Sequence, residues 1–150
     1  MIPSNLAQLA YWNGPIGHMW AEAQEKRDRD HAPITDAVLK LAAAAPGEHV
    51  VDIGCGSGTT TLRLAQQVGA EGSVLGIDLS APMLAVAERR ARDSGSRARF
   101  IEADATDHRF EPKHFDLAFS QFGVMFFADP AASLANVFAA MKEGSRLAFV

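Results

Sequence analysis

A doubly wound α/β fold on a mainly parallel sheet is what this sequence predicts, on three observations. From about Ala32 onward, short apolar runs rich in β-branched residues alternate with helical stretches. The first of these runs ends in a glycine-rich turn, "DIGCGSG", and a helix start follows it directly. Chemically distinctive residues fall at the ends of successive strands: Asp52 to Gly58, Asp78, Asp104, and Ser120 to Phe122. Open parallel sheets bind their ligands at the carboxyl ends of the strands, so these residues converge on one place.

Each element can be justified in turn. The first 32 residues stand apart, holding Tyr11, Trp12, Trp20 and the charged run "EKRDRD". They read as a loop followed by a helix from Gly17 to Arg29. A second helix, Ile34 to Ala44, stops before Pro46-Gly47. Strand one is "HVVDIG", and the helix after it runs from Thr59 to Val68, ended by Gly69. Strand two is "SVLGID"; the next helix opens with Ser80 as N-cap and Pro82 in its first turn. "ARFIEAD" and "FDLAFSQ" are strands three and four. Asp129 caps another helix with Pro130 at its first position, and "SRLAFV" begins strand five. The division is therefore 1–32, a helical lid or cap, and 33–150, an α/β domain.

Composition narrows the function. The chain has 150 residues, 48% hydrophobic, enough for one real core. Lys and Arg number 14 against 18 Asp and Glu, a net charge of −4, which argues against a general nucleic-acid binder. No apolar run approaches the ~20 residues of a membrane span, and the N-terminal stretch lacks the pattern of a signal peptide. Cys55 is the single cysteine, so there is no internal disulfide framework and no metal motif. A reducing, cytoplasmic setting fits, with a small-molecule partner and neither membrane nor metal.

The glycine turn raises the chemical question. Gly54, Gly56 and Gly58 form a floor that a ligand can approach closely, and the helix beginning at Thr59 offers free N–H groups to an anion. A dinucleotide fingerprint would need glycine at 54, 56 and 59, but position 59 is Thr. Asp52 beside the floor is a poor neighbour for a pyrophosphate. A zwitterion suits better, its ammonium toward the carboxylate and its carboxylate toward the amides. Asp78 lies 24 positions after Gly54, near the ~20 expected of a carboxylate that accepts both hydroxyls of a ribose.

These segments, "VVDIGCGSG", "GIDLS", "EADAT" and "FDLAFSQFGVMFF", resemble the class I S-adenosylmethionine-dependent methyltransferases, notably the small-molecule branch similar to ubiquinone-biosynthesis C-methyltransferases. The resemblance covers about residues 33–150 and implies a Rossmann-like methyltransferase fold with S-adenosyl-L-methionine as cofactor. It assigns Asp52, Gly54 and Gly56 to the methionine part, with Cys55 a small filler in the loop. It gives Asp78 the ribose, Leu79 and Met83 the two faces of adenine, and Asp104 with Ala105 the adenine amino group. Ser120 and Gln121, followed by Phe122, fall beside the sulfonium and the substrate. The implied reaction is in-line methyl transfer to carbon or oxygen of a small organic acceptor.

No catalytic base is assigned, since His18, His31, His108 and His114 sit in no motif. The large apolar side chains of the leading segment fit a lid over the cofactor or plain packing on the sheet layer, and "EKRDRD" reads as a solvated face. The family sheet has seven strands. The chain therefore reads as truncated after strand five, with strands six and seven missing, or as a homodimer that covers the edge. The alternatives in function are a cofactor-binding module without turnover, and an NAD-dependent oxidoreductase disfavoured by Thr59.

Overall fold

The computed structural model describes residues 3–150. Three helices lead the chain: α1 (Pro3–Asn13), α2 (Pro15–Glu22) and α3 (Gln24–Ala42). The α/β alternation follows as β1 (His49–Ile53), α4 (Thr59–Val68), β2 (Ser73–Asp78), α5 (Ala81–Ser94), β3 (Arg99–Glu102), β4 (Phe115–Ser120), α6 (Pro130–Ala139) and β5 (Met141–Phe149). A short 3₁₀ turn, Val124–Phe126, stands between β4 and α6. The strands form one sheet in the order β3-β2-β1-β4-β5, and all four pairings are parallel. The strand order reverses between β1 and β4, so the ligand-binding crevice of such a sheet opens above their tips.

Period-two burial separates the two faces of the sheet. Val50, Leu117 and Phe119 pack with Val38 and Leu39 of α3 and with Leu64 and Val68 of α4. Their strand neighbours Val51, Ile53 and Ala118 pack on the opposite side with Val137 of α6. Alternate side chains point to opposite faces of a strand, so a strand covered on both faces is apolar throughout.

The predicted caps form. Ser80 Oγ accepts from Met83 N–H at 3.4 Å, and Asp129 Oδ1 accepts from Ala132 N–H at 3.0 Å. Three expectations change. The leading segment is helical from its first described residue, not a loop before a helix. The helix expected at 17–29 is split at Ala23 between α2 and α3, and α3 runs on through Pro33 into the helix expected at 34–44. Proline removes one intrahelical donor but fits the helical φ, so tertiary packing can carry a helix across it. Finally, β5 starts at Met141. Its pairing jumps from Phe115↔Met141 to Leu117↔Arg146, so the residues before the expected strand start at Ser145 form a bulge inside the strand.

Candidate functional site

One cleft lies over the strand tips, floored by the β1–α4 turn, walled by the ends of β2, β3 and β4, and roofed by α1 to α3. All the residues expected at the site line it, except Asp52 and Ser120, which stand directly behind the wall.

The floor is backbone packed on backbone. Gly54 has φ +68, and a Cβ there would come within 2.6 Å of Gly123 Cα. Both the left-handed conformation and the contact require glycine. Ser120 fixes this approach from below: its Oγ donates to Ile53 O at 2.7 Å and accepts from Gly123 N–H at 3.2 Å. The turn uses its own amides. Gly54 and Cys55 N–H both donate to Ile77 O, and Gly56 N–H donates to Asp78 Oδ2 at 2.7 Å. The donors left for an anion therefore belong to the first turn of α4, which a helix cannot satisfy internally.

Asp52 holds that turn. Its Oδ2 accepts from the hydroxyls of Thr60 (2.6 Å) and Thr61 (2.7 Å), while Oδ1 is buried with no partner. Burial pushes its carboxyl up to about 7 against the pull of the two hydroxyls, and the nearby Asp78 adds to the rise. Burial likewise raises the Cys55 thiol, which suits a filler and not a nucleophile.

Asp78 ends β2 and caps the next turn. Its Oδ1 accepts from Ser80 N–H at 2.8 Å, and burial raises its carboxyl above the usual value. Each carboxylate oxygen has two lone pairs and each has met one backbone donor, so two acceptor positions remain for a ligand. Leu79 and Met83 line the cleft on the same side. Asp104 follows β3; its Oδ1 accepts from Thr106 N–H at 2.8 Å and its Oδ2 from the Asn5 side-chain amide.

The roof is tied down by polar side chains. The Asn13 amide donates to Leu79 O at 2.7 Å, and its carbonyl accepts from Ala81 N–H at 2.9 Å. Ser80 Oγ donates to Trp12 O at 2.8 Å. Asp28 accepts from Thr59 Oγ1 at 2.6 Å and pairs with Arg90 at 2.9 Å, while Arg90 also donates to Ser57 O. Trp12 packs edge-on against Phe126, with ring centroids 5.0 Å apart.

The charged run "EKRDRD" is thus not wholly a solvated face. Lys26 and Asp30 pair in solvent, but Arg27 and Asp28 reach the cleft. Asn5, Arg27, Asp28 and Gly123 went unread in the sequence. The signal for α3 was there: Gln24, Asp28, His31 and Thr35 follow helical spacing and all four line the cleft. Of the histidines, only His31 lines it; His108 and His114 line a separate hollow.

The cleft suits an adenosyl amino acid: a glycine floor where a Cβ would collide with Gly123 or Met83, an acidic β2 tip with acceptor capacity left over, and a buried Gln121 Oε1 without a partner. Comparison with known proteins agrees. The profile of the methyltransferase-domain family matches residues 50–144, and the chain belongs to that family, in its class I, S-adenosylmethionine-dependent branch. Aklanonic acid methyltransferase DauC of Streptomyces sp. (strain C5) is 32% identical over 118 residues, 78% of this chain and 54% of that protein. A 2-phytyl-1,4-naphtoquinone methyltransferase of Synechococcus elongatus is 38% identical over 115 residues, 75% of this chain and 49% of its own. Phosphoethanolamine N-methyltransferase 2 of Haemonchus contortus, solved with S-adenosylhomocysteine, superposes with a TM-score of 0.72 at 29% identity, over 78% of this chain and 27% of its own. The chain spans about half the length of the curated relatives it matches.

Proposed function

We propose that the cleft binds S-adenosylmethionine and serves methyl transfer to carbon or oxygen of a small organic acceptor. The observation that carries this reading is the Asp78–Gly56 hydrogen bond. It locks a carboxylate with spare acceptor capacity to the glycine turn, so that one ligand can span a ribose site and an amino-acid site.

In this reading Asp78 accepts from the ribose hydroxyls, Leu79 and Met83 flank the adenine, and Asp104 with Ala105 meets its amino group. Gly54, Cys55 and Gly56 pass beneath the methionine part, and Gln121 lies beside the sulfonium. Asp52 acts at one remove, by orienting Thr60 and Thr61 in the first turn of α4. Ser120 likewise acts by holding Gly123 against Gly54. When bound, the cofactor supplies a methyl group on an electrophilic sulfonium. The chain's own contribution is alignment of the acceptor and exclusion of water, which the segment 1–32 serves as a lid. The names of the relatives, which act on a naphthoquinone and on aklanonic acid, support a small organic acceptor. The buried lone Cys55 supports a reducing compartment, and the net charge of −4 a reaction away from nucleic acid. β5 stands at one edge of the sheet among the described residues, which supports a homodimer paired through that edge. Nothing in the cleft favours the nicotinamide alternative.

Calorimetric titration with S-adenosylhomocysteine and with NAD tests the reading directly. Binding of the first alone is expected, and formation of S-adenosylhomocysteine from S-adenosylmethionine with a panel of phenols and quinols then separates turnover from binding. Preference for NAD, or indifference to both, overturns it.

A further inference from the structure

Of the α3 side chains that line the cleft without a role in cofactor binding, Arg27 and, one helical turn on, His31 each pack against an aromatic ring. The Arg27 guanidinium lies over the Trp20 ring, 3.2 Å from its centroid, and its Nε is buried with no hydrogen-bond partner. Among the described residues no carboxylate stands within ion-pair distance of it; Asp28, its neighbour in sequence, is taken by Arg90. A permanent cation with a desolvated donor is costly unless an anion completes it.

The aromatic surroundings indicate where that anion belongs. Trp20 packs against Trp12 at 5.8 Å, Trp12 against Phe126 at 5.0 Å, and His31 against Phe122 at 5.3 Å. Phe122 and Phe126 belong to the segment after β4, the side of the cleft away from the adenine and ribose carboxylates. The first turn of α4, whose donors suit the cofactor's own carboxylate, is met by the neighbouring Asp28 through Thr59 Oγ1.

We propose that Arg27, with Trp20, Phe122 and Phe126, forms an acceptor subsite for a planar aromatic carboxylate. The proposal rests on the methyl-transfer reading for the place of the cofactor. The guanidinium fork takes the carboxylate through two parallel N–H···O bonds, and the aromatic side chains take the ring. The carboxylate is an anchor; the methylated atom lies elsewhere on the acceptor.

The test uses 2-naphthoate and its uncharged counterpart 2-naphthamide, titrated into the full chain saturated with S-adenosylhomocysteine. Wild type is expected to prefer the naphthoate by about tenfold or more, the worth of one charge-assisted pair. Arg27→Gln erases the preference and Arg27→Lys restores part of it. S-adenosylhomocysteine and 5′-methylthioadenosine, which lacks the amino acid, both bind Arg27→Gln as they bind wild type. Equal affinity of wild type for the two naphthyl probes overturns the proposal. So does an Arg27→Gln protein that loses S-adenosylhomocysteine but keeps methylthioadenosine, since Arg27 then serves the cofactor's carboxylate. Wild type that ignores S-adenosylhomocysteine sinks the cofactor reading itself, and this proposal with it. Should Arg27→Gln fail to fold, the wild-type preference and Arg27→Lys still decide.

Discussion

Beneath the cleft, main chain meets main chain: Gly54 touches Gly123, and Ser120 hangs from the Ile53 carbonyl, all at or just past the ends of strands whose other residues form the core. Above it, side chain meets side chain or loop: Asn5 on Asp104, Asn13 on Leu79, Asp28 on Thr59 and Arg90. The floor has no freedom to open without disturbing the core. The roof is a set of polar contacts, each contributing about 1 kcal/mol. α3 joins the two regimes. Val38, Leu39 and Ala42 at its C-terminal end are core, while Arg27, Asp28 and His31 nearer its start reach the cleft. A rigid floor suits recognition of a fixed cofactor, and a separable roof suits entry and exit of ligands.

The largest effect that sharpens this contrast comes from Gly54→Ala. Its φ of +68 costs roughly 1–2 kcal/mol for any side chain, and the 2.6 Å approach to Gly123 adds an overpacking cost of about 1–3 kcal/mol. Gly95→Ala is the control, because Gly95 has φ +65 but nothing within 4 Å. Urea denaturation should show the Gly54 variant losing clearly more stability than the Gly95 variant. Equal losses would mean that the floor contact contributes nothing.

Asp52 brings a pH dependence to the floor. Its carboxyl titrates near 3.8 when unfolded and near 7 when folded. Between those values the folded chain holds one more proton than the unfolded chain, so raising the pH favours unfolding. The contribution is full below 3.8 and gone once the pH passes about 7, with a slope of at most about 1.4 kcal/mol per pH unit. Asp52→Asn keeps an acceptor for Thr60 and Thr61 but cannot ionise. Stability measured from pH 4 to 8 should therefore fall less steeply in the variant than in wild type, and parallel curves would show that Asp52 titrates normally.

Asp78→Asn addresses binding. It exchanges charge-assisted bonds for neutral ones, and affinity for S-adenosylhomocysteine should fall by about 10- to 100-fold. Because the carboxylate also receives Gly56 and Ser80 N–H, some stability should go with it. An unchanged dissociation constant would remove the ribose role.

Most of the floor was legible in the sequence because its determinants are local; Gly123, brought against Gly54 from beyond β4, was the exception. A glycine turn, a strand-end aspartate and a Ser or Asp helix cap each declare themselves within a few residues. The roof was not, because its contacts join residues far apart in the chain: Asn5 with Asp104, Asp28 with Arg90. Arg27 illustrates the difficulty, since a charged residue in a charged run reads as solvated until the fold places an indole beneath it. Pro33 misled for a related reason: it signals a helix boundary locally, yet core contacts further along hold α3 in one piece. Asp52 was seen, but its role was shifted by Thr60 and Thr61, hydroxyls that claim one oxygen of a carboxylate expected to face the ligand.

The smallest expected effect tests the roof as a unit. Asp28→Ala removes the acceptor for Thr59 and the partner of Arg90, a half-buried pair worth about 1 kcal/mol. If the roof opens independently of the floor, that loss appears locally: amide hydrogen exchange in α2 and the first half of α3 should quicken by about fivefold, while β1 and β4 keep their rates. Uniform quickening throughout the chain would mean that roof and floor open together, and α3 would then be a brace of the core. Added S-adenosylhomocysteine sharpens the outcome. A ligand that contacts the roof slows exchange in α2 and α3 of the wild-type protein, and slows it less in Asp28→Ala; a ligand held by the floor alone protects the β1–α4 turn and leaves the roof's rates untouched.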